Sequence, residues 1–62
     1  MSKAHSESEF RGMITTAQKQ VEEITLHLIR EGYPQAAFST GEAAKELQEA
    51  KHRVVMDAVT KV

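Results

Sequence analysis

Apolar residues recur along the first half of the chain at Phe10, Ile14, Ala17, Val21, Ile24 and Leu28, in steps of four and three, with Met13 beside them. At about 100° per residue they fall within an arc of about 100°, the signature of one buried face of an α-helix. Thr16, Gln18, Lys19, Glu22 and Glu23 occupy the other faces. The second half offers Ala43, Ala44, Leu47, Ala50, Val54, Val55, Ala58, Val59 and Val62. Its arc starts narrow and widens toward the end of the chain to about 140°. Opposite it runs Glu49, Arg53, Asp57 and Lys61, charges of alternating sign at four-residue spacing, which reads as a solvated face.

Local signals mark where these helices start and stop. Ser6 and Glu9 have the spacing of a capping box, and the Glu7 and Glu9 charges suit the positive end of a helix dipole. Gly32 can take the left-handed conformation that ends a helix, and Pro34 cannot continue one. Ser39 and Glu42 repeat the capping-box spacing. The pattern therefore predicts a loose tail over 1–5 and one domain over 6–62: a helix over 7–31, a connection over 32–38 and a helix over 40–62. Matched lengths and a short connection predict an all-α antiparallel hairpin, with bulky Ile24 and Leu28 set against Ala43, Ala44 and Leu47.

Size makes that hairpin an incomplete solution. A chain of 62 residues buries only about 60% of the surface it exposes when unfolded. It has no cysteine for a disulfide or thiolate site and only 3 histidines, so association with another chain remains as the route to stability. The wide arc of Val54, Val55, Ala58, Val59 and Val62 exceeds what one neighbouring helix can cover. A homodimer through these residues, closing a four-helix bundle, is the expectation.

Other apolar residues stand outside the seam. Leu26, Ile29 and Tyr33 form a second stripe, completed by Phe38, and are the candidate surface for a protein partner unless the connection or a second copy covers them. Candidate chemistry is sparse. Glu49 and His52 have the spacing that di-iron bundles use, but Glu49 sits roughly opposite Leu47 and Val54 on the wheel, away from a core. Glu23, His27 and Glu31 form an ordinary surface ladder. No phosphate loop, nucleophile elbow or catalytic dyad can be assembled, so the expectation is a non-enzymatic protein without cofactor or metal.

The segment 39–59 resembles helix-turn-helix domains of the excisionase type in Glu42-Ala43-Ala44-Lys45, Leu47 and Val54. The resemblance implies a reader helix with Lys51, His52 and Arg53 toward a nucleic-acid groove. The sequence departs from that pattern at Gln48-Glu49-Ala50-Lys51, all good helix formers where a turn is required, and at Asp57 where an apolar residue belongs. Overall charge adds nothing to a nucleic-acid reading, since 8 Lys and Arg face 9 Asp and Glu. With no apolar run long enough to span a membrane and no signal-peptide pattern, the cytoplasm is the expected compartment. The leading expectation is a small regulatory protein acting by protein–protein binding; a nucleic-acid-binding regulator is the alternative.

Overall fold

A computed structural model describes residues 6–60 of the chain. Two helices follow one another, α1 over Glu7–Glu31 and α2 over Pro34–Thr60, and they pack against each other as an antiparallel hairpin. The predicted tail over 1–5, Lys61 and Val62 lie outside the described residues.

Both ends of α1 form from local chemistry. The Ser6 hydroxyl accepts from the Glu9 backbone N–H at 3.2 Å, and a Glu9 carboxylate oxygen accepts from the Ser6 N–H at 2.9 Å. Two backbone donors that the first turn cannot satisfy are thereby paired. At the other end Gly32 has φ +86°, and the next N–H, that of Tyr33, reaches back to the Leu28 carbonyl at 2.9 Å. Together with the Gly32 N–H on the Ile29 carbonyl, this is a Schellman closure.

The second helix starts six residues before the expected position. The connection is Gly32 and Tyr33 alone, not 32–38. Pro34 does not continue α1, but at the first position of a helix its fixed φ is already helical and its missing N–H has no partner to lose. The Tyr33 carbonyl accepts the first turn's bond from the Ala37 N–H at 2.9 Å. Ser39 and Glu42 consequently lie inside α2 rather than capping it, and the Thr40 hydroxyl bonds back to the Ala37 carbonyl at 3.1 Å. A hairpin with a two-residue turn has no loop to fold over either helix.

Three cross-helix pairs fix the register. Thr25 and Thr40 hydroxyls meet at 2.6 Å, Gln18 donates its amide to Gln48 at 3.1 Å, and the Lys51 ammonium donates to the Thr15 hydroxyl at 3.2 Å. The seam is thus partly polar. Ile14, Ala17, Val21 and Leu28 are half-buried in it, as are Ala44, Leu47, Ala50, Val54, Val55 and Ala58. Ala37, 6% exposed, is the only buried side chain among the described residues. The large residues Phe10, Met13 and Ile24 are not inside: they are 41%, 54% and 49% exposed. Ile24 therefore does not pack against Ala43, Ala44 and Leu47 as the stripe predicts. The α1 stripe is centred to one side of the contact line, so its bulkier half faces out.

Candidate functional site

The hairpin is a layer one helix deep, 47 by 23 by 14 Å, and so has two broad faces. Side chains are assigned to a face by their rotation from the seam. Viewed down α1 the residues turn clockwise, and down antiparallel α2 they turn the opposite way. Residues displaced backwards from the seam on both wheels therefore share one face, and those displaced forwards share the other.

The first face carries Phe10, Met13, Ala17 and Ile24 from α1 and Ala43, Ala50 and Val54 from α2, with Val21, Leu28 and Leu47 at its floor and Gln20, His27 and Asp57 at its rim. It is apolar through its middle, with Asp57 toward the open end and His27 toward the closed end. The α1 row is bulky and the α2 row is small. Charged residues stand on its outer edge, including Arg53, which pairs with Glu49 at 3.8 Å.

The second face divides along its length. Toward the open end an open depression is lined by Arg11, Gln48, Lys51, His52 and Val55. Arg11 also holds Glu7 at 3.5 Å, and the Lys51 ammonium is engaged by Thr15. Lys51, His52 and Arg53 do not form one patch. Successive helical residues fan out by about 100°, and Arg53 lies toward the first face beside Glu49. The structure instead joins Lys51 and His52 to Arg11, a residue of the other helix. Helix α2 is unbroken through Gln48-Glu49-Ala50-Lys51, so the turn a helix-turn-helix needs is not there.

At the closed end, Leu26, Ile29, Tyr33 and Phe38 remain exposed, from 55% for Leu26 to 71% for Phe38. Ile29 faces the second broad face, with Leu26 and Phe38 toward its two margins and Tyr33 in the turn. The turn is too short to cover them. Among the dimer candidates, Val54, Val55 and Ala58 are already half-covered by α1, Val59 is exposed, and Val62 lies outside the described residues. The widening arc of α2 thus serves mainly the intramolecular seam. What sequence reasoning missed is the first face; its signal was the offset between the apolar stripe of α1 and the positions of Gln18 and Thr25, which the hairpin turns inward.

Glu49 and His52 are exposed, and no group of three or more metal-binding side chains gathers among the described residues. No described helix is long and apolar enough to cross a membrane. The fold defines an all-α helical hairpin with an apolar face and an apolar closed end. Comparison of the chain with protein-family models, with curated proteins and with solved structures finds no match in any of the three.

Proposed function

We propose that this protein is a non-enzymatic helical interaction module: it self-associates into a four-helix bundle and binds another protein through its closed end. The observation that carries the reading is the imbalance between Ala37, the single buried side chain among the described residues, and the nine large hydrophobic side chains left exposed. Exposed apolar side chains gathered on one face or at one end mark surfaces that a macromolecule covers. The two apolar regions divide the work. The long face suits a second hairpin, because helix layers pack by joining apolar stripes. The compact cluster of Leu26, Ile29, Tyr33 and Phe38 offers an aromatic anchor and aliphatic neighbours, the composition from which binding hot spots are built. Its partner is a protein presenting an apolar groove or helix.

The test is affinity capture from the native host with the wild-type chain and with a Leu26→Glu/Ile29→Glu double variant. A partner retained by the wild type and lost from the variant, at unchanged helicity and mass, supports the reading. Identical capture profiles sink it. A nucleic-acid role, using Lys51 and His52 with Arg11, is the lesser reading, since α2 lacks the required turn and Glu7 and Thr15 engage Arg11 and Lys51.

A further inference from the structure

The long apolar face also constrains how two copies meet. The chain exposes 5224 Å², whereas a compact monomer of its 6.9 kDa mass exposes about 4,000 Å². The radius of gyration points the same way: 14.6 Å, against about 10.6 Å for a compact domain of this length. The excess is about 1,200 Å² per chain, above the roughly 800 Å² each partner contributes to a standard stable interface. A face 47 Å long and 23 Å wide is large enough to absorb it.

Resting on the reading of the chain as a self-associating module, we propose that a second copy covers this face with its two-fold axis parallel to the helices, so that α1 of each copy lies on α2 of the other and both turns emerge at the same end of the bundle. Size complementarity decides the orientation. The register of the three cross-helix pairs, whose residue numbers sum to 65 or 66, sets the height of each residue along the layer. In the parallel arrangement Ile24 stands level with Ala43 of the other copy, and Met13 falls between Ala50 and Val54. Ile24 and Met13 each meet small side chains, Phe10 falls between Val54 and Asp57, and both helix rows sit at one spacing. Turning the second copy end over end stacks α1 on α1 and α2 on α2. Ile24 then meets the Met13 and Ile14 level while Ala43 and Ala50 meet alanines, so one edge of the bundle is held apart and the other is underfilled. Close packing disfavours both defects.

The consequence is a bivalent molecule. The two closed-end clusters of Leu26, Ile29, Tyr33 and Phe38 share one end of the dimer, on its opposite outer sides, and can engage a two-fold symmetric partner or two copies of a motif together. Simultaneous engagement raises avidity without any new contact.

The cysteine-free chain permits a direct test. Gln35 is exposed on the first turn of α2, away from the seam. A nitroxide on Gln35→Cys, measured by double electron–electron resonance in the full chain at about 100 µM, reads the distance between the two turns. The parallel dimer gives a single distance below about 30 Å, set by helix spacings of roughly 10 Å plus the labels. The end-over-end dimer separates the two positions by about 35 Å along the helices alone, some 23 residues at about 1.5 Å each, and so gives a distance of about 40 Å or more; that result overturns the orientation. Absence of dipolar coupling overturns the second copy as occupant of the face. An Ile24→Glu version of the labelled chain should lose the coupling and a Leu26→Glu version should keep it; the reverse pattern moves the interface to the other face and sinks the proposal. None of these readouts depends on the partner protein, so failure here and failure of capture are distinguishable.

Discussion

The Thr25–Thr40 pair shows how donor arithmetic governs a single contact. Two hydroxyl protons serve three short contacts: Thr25 to the Val21 carbonyl at 2.9 Å, Thr25 to Thr40 at 2.6 Å, and Thr40 to the Ala37 carbonyl at 3.1 Å. One contact lacks a proton at any instant, but each hydroxyl keeps a backbone acceptor if its partner is removed. Replacing either residue by valine therefore orphans no buried donor. Thr25→Val and Thr40→Val should each lose the same cross-helix bond, and the double variant should lose it only once. A double-mutant cycle read by thermal or urea unfolding should return a coupling of about 0.5–1.5 kcal/mol, the net worth of one hydrogen bond. Strict additivity would mean that the pair contributes nothing to joining the helices.

Glycines act on the helices in opposite senses. Gly32, at φ +86°, holds the backbone in the left-handed region that closes α1. An alanine there is strained even though nothing crowds its Cβ, and Gly32→Ala should destabilise the chain by about 1–2 kcal/mol. Gly41 lies within α2, where a Cβ would meet nothing within 4 Å. Gly41→Ala should stabilise by about 0.5–1 kcal/mol, because it removes backbone freedom from the unfolded chain without a clash. Melting temperatures followed by circular dichroism at one fixed concentration check both, and displacements in the same direction would refute the assignment. The ion pairs along the helices, Glu7 with Arg11 and Glu42 with Lys45, are solvated and of neighbouring turns, and each adds only a few tenths of a kcal/mol.

The molecule as a whole is thin. Its third dimension of 14 Å is about one helix with side chains, so most residues of either helix retain a face toward water. Stability coupled to association then depends on protein concentration. Tenfold dilution should remove about 1.4 kcal/mol from a folded dimer. Unfolding profiles collected from 1 to 100 µM should move to higher temperature as concentration rises, with sedimentation showing twice the chain mass at the upper end. A cooperative melt at the same temperature throughout, with monomer mass, would refute self-association and leave the apolar face unexplained.

Element type and number follow from information carried within a few residues. The four-and-three spacing of the α1 stripe, the Ser6–Glu9 box and Gly32 each act over one or two turns of backbone, so α1 occupies the span that those signals mark. The start of α2 is ambiguous at that range, because Pro34 can end one helix or begin the next and nearby Ser39 has the chemistry of a cap. Only the closing of Gly32 and Tyr33 into a two-residue turn selects between them. Which side of each stripe faces inward is a different kind of question. Periodicity reports how apolar positions cluster on one helix, but rotation about the helix axis depends on what the opposite helix offers. Here Thr25 with Thr40, Gln18 with Gln48 and Thr15 with Lys51 set that rotation. Hydrogen bonds are short-ranged and directional, whereas burial of apolar area is not, so three polar pairs hold the hairpin in a register that leaves Met13 and Ile24 in water. The location of the uncovered face therefore belongs to the packed pair of helices and to neither helix alone.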